Sequence, residues 1–352
     1  MQNEGRSTLF CWHTVLLFLA VISTAFILVV IPYFGKTSHT FIKSYWVKQQ
    51  VQPRTVFTRN PAVDFAYIVQ TEKCLPSRWL TNDHLGNSTL CNCHVYVLSY
   101  REPCEQNSSH VFYLHNKTVG WSGGRNLGYF AARKCNYLYY IFFDDDVVIH
   151  YNQYTPKSLT DKKIPPLRIF TSYLLEDLPA AASIDYQLCP YKLVLDKWHN
   201  RCNRTDTPKT YPVYHIDAII NAFHRDTALH LLPYYEKHDN ATFWLSQVYL
   251  MFKFQMIFYG RFELFPILSA YNPAHRYDWS HAHAHIRDPL IRKDQVEKIK
   301  EQTPAEYKNH PRFDSMMGYK AEQNLVGVLC IDPTKARTPI LPYQNMEPNE
   351  IY

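Results

Sequence analysis

Three consecutive carboxylates, Asp144, Asp145 and Asp146, follow an apolar run that ends in Ile141, Phe142 and Phe143. Like charges that close together repel one another unless a cation shares the site. The run before them reads as a buried strand, and in open α/β sheets ligands bind beyond the carboxyl ends of strands. A hard divalent ion, Mn2+ or Mg2+, is the natural partner, held by one or two carboxylates with phosphate oxygens in other positions. The plain alternative is a solvated acidic turn. A short way upstream lies Gly120, Trp121, Ser122, Gly123, Gly124, Arg125, Asn126, Leu127, Gly128. Gly123 and Gly124 suit a tight turn or a close approach of backbone to a ligand. Arg125 carries the planar fork that matches phosphate oxygens. Asn126 either joins it or caps a following helix.

Residues 65–71, 94–100, 111–114 and 137–143 are short apolar runs bounded by polar residues, and each reads as a strand. Residues 126–134 read as a helix with Leu127, Phe130 and Ala131 on one face. Strands alternating with helical or loop segments predict a mostly parallel sheet covered by helices. Beyond the acidic cluster, strands are expected at 167–172, 213–223 and 255–259, and helices at 242–252 and 291–302. No internal repeat or low-complexity tract interrupts the chain.

The stretch from Trp121 through Ala131 and Ala132 to Asp146 resembles the nucleotide-sugar-binding half of GT-A glycosyltransferases, particularly the family-2-like group. There a Gly-bearing loop, an Arg-Asn pair and a helix precede a strand that ends in a D-x-D motif. The close match covers residues 121–146, and the strands before it fit the same half-domain loosely. The resemblance implies an α/β, Rossmann-like GT-A domain whose mixed, mostly parallel sheet is flanked by helices. It assigns Asp144 to the ribose or donor sugar and to the metal, Asp146 to the metal as its main ligand, and Asp145 to either. Gly123, Gly124, Arg125 and Asn126 fall in the donor site. Thr71 and Tyr100 line the nucleotide pocket or simply pack; Arg78 meets the diphosphate or lies on the surface.

For the acceptor half, the resemblance points to the segment around His215, Asp217, His224 and Arg225. Asp217 is a candidate catalytic carboxylate, with a turn or cap role as the alternative. Many inverting relatives place an acid at the start of a later helix to take the acceptor's proton. The matching stretch here, 243–247, has none, though it brings Trp244 and Gln247 towards the acceptor pocket. Asp239 and Glu236 lie nearby, off register, with Asp239 kept as a second catalytic candidate. A third metal ligand in this fold is often a late His; His275 is the first candidate. His281, His283 and His285 form either a site of their own or a solvated loop.

The chain has 352 residues, 46% hydrophobic and 19% charged, with 27 Tyr and 20 Phe, a globular composition. Its net charge of +6 comes from scattered Lys and Arg, which argues against a nucleic-acid partner. Residues 9–35 contain no Asp, Glu, Lys or Arg, and roughly 20 apolar residues span a bilayer as a helix. The run is longer than a signal peptide's core and ends in Pro32, Tyr33 and Phe34, an interfacial anchor pattern. The expected layout is a tail at 1–9, a membrane helix at 10–34, a stem at 35–60, donor and acceptor halves at 61–150 and 151–290, and an extension at 291–352. Lys36, Lys43 and Lys48 run against the positive-inside rule. Sequons at Asn87, Asn107, Asn116, Asn203 and Asn240, all after the helix, put the domain in the lumen. Cys74, Cys91, Cys93, Cys104, Cys135, Cys189, Cys202 and Cys330 make an even count suited to disulfides in an oxidising compartment. Cys91 and Cys93 have no second pair at zinc spacing.

The leading expectation is a single-pass type II Golgi enzyme. It moves sugar from a UDP- or GDP-sugar to a glycan, glycoprotein or lipid, using Mn2+ or Mg2+. The absent helix-start acid motivates a non-catalytic scaffold of the same fold as an alternative; a metal-dependent phosphoester hydrolase is a third class.

Overall fold

The computed structural model describes residues 63–106, 108–186, 202–203, 205, 209–239, 242–258, 260–273, 289–302 and 327–328. The expected membrane segment and stem lie outside them, as do Asn107, Asn240, His275, His281, His283 and His285. Among the described residues, no helix is long and apolar enough to cross a membrane.

Among the described residues, ten strands form one mixed sheet. They are β1 (Phe65–Thr71), β2 (Cys93–Ser99), β3 (Val111–His115), β4 (Tyr139–Asp144), β5 (Val148–Tyr151), β6 (Ala181–Tyr186), β7 (Tyr211–His215), β8 (Ile220–His224), β9 (Phe262–Tyr271) and β10 (Gly327–Val328). Their order is β10-β7-β9-β6-β8-β4-β1-β2-β3, with β5 paired to β9. The parallel block is β4-β1-β2-β3. Next to it, β8 runs antiparallel to both β4 and β6, and β6 is parallel to β9.

The sheet is the middle layer. Ala66, Ile68 and Phe142 face one apolar cluster, while Phe65, Tyr67, Val69, Ile141 and Phe143 face another. Strands buried on both sides have no polar alternation, which is why these runs are continuously apolar. The first face is covered by α1 (Trp121–Ala132), α3 (Arg225–Leu231), α4 (Phe243–Ile257) and α5 (Pro289–Gln302), which supply Tyr129, Ala228, Leu250 and Val296. The second is covered by α2 (Pro166–Asp177).

Three expected elements differ. Residues 167–172 belong to helix α2, not a strand. Pro166 opens it, and Leu167, Phe170, Tyr173 and Leu174 are its buried face, a spacing of three and four residues. Residues 255–257 continue helix α4, and the strand there is β9, starting at Phe262. The single run expected at 213–223 is two strands, β7 and β8, separated by a turn at 216–219. β5 and β6 had no counterpart in the sequence reading. Disulfides join Cys74 to Cys104 and Cys91 to Cys93. Cys202 is also disulfide-bonded, and Cys135 is free.

Candidate active site

Helix α1 begins at Trp121, inside the stretch expected to be a Gly loop, and Gly123 and Gly124 lie in its first turn. Glycine is needed at Gly124 for packing. A Cβ there would sit 1.7 Å from Gln70 Nε2 and 2.6 Å from Leu98 Cδ2, and one at Gly128 would sit 2.5 Å from Ile68 Cγ2. The two glycines let the helix lie close against β1 and β2. Three amides at the helix start already have partners. Asp239 Oδ2 accepts from Ser122 N at 2.8 Å and Gly123 N at 3.3 Å, and Gly124 N donates to Gly120 O. Gly120, the N-cap residue, has no side chain to do this, so a carboxylate from 117 residues away caps the helix. Its other oxygen accepts from Ser246 Oγ at 3.0 Å. Asp239 therefore has a structural role that competes with the catalytic one expected of it.

Arg125 and Asn126 are also buried and bond to other segments of the chain. Asn126 neither caps a helix nor faces solvent. Its Nδ2 donates to Tyr234 O at 2.9 Å and Glu236 Oε1 at 2.5 Å, and its Oδ1 accepts from Tyr234 N at 2.7 Å. Arg125 is 2% exposed. Its guanidinium lies 4.0 Å from the centre of the Trp121 ring, a cation–π contact strengthened by the lack of water. Its Nη2 donates to Asp144 Oδ1 at 2.7 Å and Ala218 O at 3.1 Å.

The acids cluster where the strand directions bring chain ends together. β4 and β6 end at the same edge of the sheet at which β8 begins, with Phe143 opposite Ile220. Asp144 N donates to Ile219 O at 3.1 Å, which sets the 216–219 turn beside the acidic triplet. Burial pushes the Asp144 carboxyl up to about 6, opposed by Arg125 and reinforced by Asp146 and Asp145. Burial likewise lifts Asp217 to about 7, with Asp144 adding to the rise and the Ile219 amide and Arg125 opposing it. Tyr186, at the end of β6, is raised by burial and then by Asp217, Asp144 and Asp146. One internal cation thus faces Asp144 and Asp217, and Asp144 lifts Asp217.

The carbonyl of Asp145 accepts from Trp79 Nε1 at 2.8 Å and Arg78 Nη2 at 2.9 Å, and Arg78 also reaches Val147 O at 3.4 Å. Arg78 therefore does meet the acidic turn, through its backbone. Thr71 spends its hydroxyl on Cys74 O at 3.1 Å, and Tyr100 N donates to Thr71 O at 2.9 Å. Trp244 and Gln247, expected in an acceptor pocket, are both buried in the core, and Gln247 Nε2 donates to Ile216 O at 3.3 Å. Sequence reasoning did not single out Trp79, Tyr186 or Asn221. Asn221 had a signal, as a lone amide within Ile219, Ile220, Ala222 and Phe223; Trp79 and Tyr186 had none.

The arrangement suits a hard divalent ion. Asp144 and Asp146 offer carboxylate oxygens beyond the one held by Arg125, and their mutual repulsion favours a cation between them. Among the described residues, no three His, Cys, Asp or Glu side chains form a ready-made metal-binding group. Ligands would then also have to come from bound phosphates or other segments.

No family model matches this sequence, and no curated protein matches it. Solved structures with a similar chain path include a mannosyltransferase from Pyrobaculum calidifontis in complex with GDP-Man and Mn2+. It is 12% identical, with a TM-score of 0.40 over 81% of this chain and 80% of that one. GalNAc-T7 with UDP, GalNAc and Mn2+ is 11% identical, with a TM-score of 0.37 over 74% of this chain. The match spans only 55% of GalNAc-T7. A197 from STIV is 13% identical, with a TM-score of 0.33 over 60% of this chain and 85% of that one. At such TM-scores these likenesses assign no residue and no chemistry, and the functional reading rests on the geometry above.

Proposed function

We propose that this chain is a metal-dependent glycosyltransferase with a GT-A domain, moving sugar from a UDP- or GDP-sugar to a glycan, glycoprotein or lipid hydroxyl. The observation that carries the reading is the convergence of Asp144, Asp146 and Asp217 at one sheet edge, with buried Arg125 bonded both to Asp144 and to the turn that bears Asp217. Asp144 and Asp146 hold Mn2+ or Mg2+, and His275 completes the set from the chain that follows β9. The bound ion supplies charge neutralisation for the leaving diphosphate.

Asp217 accepts the acceptor's proton. It replaces the helix-start acid missing from 243–247, and its carboxyl near neutrality suits a general base. Arg125 orients Asp144. Donor-contacting roles for Thr71, Arg78, Tyr100 and Asp145 belong to the same proposal. So do the type II membrane topology, the Golgi lumen and glycosylation at the sequons.

A thermal-shift panel on the full chain in detergent tests the donor site. Each nucleotide sugar is added with Mn2+ or with EDTA, to the wild-type chain and to Asp146→Ala. Ligand at 100 times its Kd stabilises the folded state by about 2.7 kcal/mol. The expected result is a Mn2+-dependent rise with one nucleotide family, lost in Asp146→Ala. A well-folded chain that shifts with no donor overturns the reading.

A further inference from the structure

The turn at 216–219 is held by all four of its carbonyls. Gln247 Nε2, on α4, donates to Ile216 O at 3.3 Å. Asn221 Nδ2, on β8, donates to Asp217 O at 2.7 Å. Arg125 Nη2, on α1, donates to Ala218 O at 3.1 Å, and Asp144 N, ending β4, donates to Ile219 O at 3.1 Å. The carboxylate of Asp217 is drawn back onto the same turn, where its Oδ1 accepts from Ile219 N at 2.9 Å. Connecting segments normally run over the surface, where water satisfies their backbone. This one is gripped by donors from four elements.

Two of those donors are costly. Gln247 and Asn221 are fully buried, on a helix and a strand that are mostly apolar. Each spends its NH2 group on the turn, while Gln247 Oε1 and Asn221 Oδ1 have no partner among the described residues. A half-satisfied amide in a core costs desolvation energy that an apolar side chain of the same shape avoids. Stability alone does not favour these residues. Holding one carboxylate in one place does, because a reactive group works only when its supporting shell fixes it.

We infer that Gln247 and Asn221 are positioning residues that lock the 216–219 turn and so fix the Asp217 carboxylate beside Asp144. The functional meaning rests on the transferase reading above; the lock itself does not.

Two isosteric variants separate hydrogen bonding from space-filling. Gln247→Met keeps the length and removes the donor, and Gln247→Glu sets an acceptor against the Ile216 carbonyl. Hydrogen exchange by mass spectrometry on the full chain in detergent is read at 216–220 and at β1 and β2. The expected result is exchange at 216–220 faster by about tenfold in Gln247→Met, in line with the loss of one hydrogen bond, and faster still in Gln247→Glu. The strands should keep wild-type rates. Met exchanging as slowly as Gln, or all segments loosening together, overturns the lock. With a donor that the wild type turns over, Gln247→Met should lower kcat by about tenfold and leave the donor KM unchanged, as for a group acting only in the transition state. An unchanged kcat overturns the positioning role. A wild type that turns over no donor sinks the transferase reading, and the exchange result still decides the lock.

Discussion

The two halves of the sheet solve the same burial problem differently. In the first half, β1 to β4 are parallel, and α1 returns across them with glycines against the strands. In the second half, β6 to β9 pair in both directions, and the covering helix α4 is apolar on nearly every side. The first half supplies most of the charged groups of the candidate site, Arg125, Asp144 and Asp146. The second half supplies Asp217 on one turn, with most of the hardware that grips it. A close helix–sheet contact leaves little room for adjustment, so the first half should be the less tolerant of small changes in shape.

Gly124→Ala gives the largest expected effect. Its new methyl collides with the Gln70 amide, which already donates to Trp121 O at 2.8 Å, and with buried Leu98. Relief breaks that hydrogen bond or lifts the helix, for a loss of about 3 kcal/mol in urea unfolding. Gly128→Ala meets Ile68, whose branched side chain has little rotamer freedom, and should lose about 2 kcal/mol. A Gly124→Ala chain as stable as wild type would mean that the contact between α1 and the sheet is looser than described.

That contact also explains what the sequence could and could not convey. β1 to β4 were legible because each is a short apolar run with polar ends. α1 starts five residues before the helix expected at 126–134 and ends two before it does. Gly123 and Gly124 look like loop residues locally, and only Gln70 and Leu98, distant in sequence, demand a glycine at 124 in a helix. In the second half, α2 hid because Leu167, Ile169 and Phe170 also fit a strand. The 216–219 turn hid inside a continuous apolar stretch. The acids that meet in the candidate site, Asp144, Asp146 and Asp217, were legible. The partners were not. The bonds from Arg125 to Asp144 and from Asp239 to the start of α1 depend on pairings that one sequence does not display.

Arg125 joins the halves, and removing it is the next test. Arg125→Met keeps much of the apolar contact with Trp121 but strips Asp144 of its ion pair and Ala218 O of its donor. Breaking a buried pair costs about 3–5 kcal/mol, and the Asp144 side chain is 33% exposed, which reduces the expected loss to about 2 kcal/mol. Urea unfolding of Arg125→Met and of Arg125→Met with Asp144→Asn measures the coupling. If the pair matters, the second change restores stability.

The acids themselves predict a pH dependence. Asp144 and Asp217 have folded pKa values of about 6 and about 7, above the ordinary 3.8. Between those limits the folded chain retains protons that the unfolded chain has released. Their contribution to stability is full below the ordinary value and is lost as pH rises through about 6 and then 7. In EDTA, the melting temperature should fall between pH 5 and pH 8, with a shallower fall in Asp217→Asn. Mn2+ favours the ionised carboxylates, so its stabilisation should be larger at pH 8 than at pH 5. An equal Mn2+ effect at both pH values would place the ion away from these acids.

The smallest effect belongs to Gly123, and it completes the comparison. A Cβ at Gly123 has nothing closer than Glu236 Oε2 at 3.3 Å and Val119 Cβ at 3.4 Å. The carboxylate end of Glu236 can yield by a few tenths of an ångström, although Asn126 also holds it. Against that, replacing Gly by Ala inside a helix is worth up to about 1 kcal/mol. Gly123→Ala should therefore be neutral or stabilising by about 0.5 kcal/mol, next to a neighbour where the same change is severe. The contrast follows from the side of α1 on which each residue sits. Gly124 and Gly128, four residues apart, face the strands, while Gly123 faces the loop that carries Glu236. If Gly123→Ala loses as much stability as Gly124→Ala, the whole first turn is packed for glycine. The start of α1 would then be a Gly loop in function as well as in composition, as the sequence first suggested.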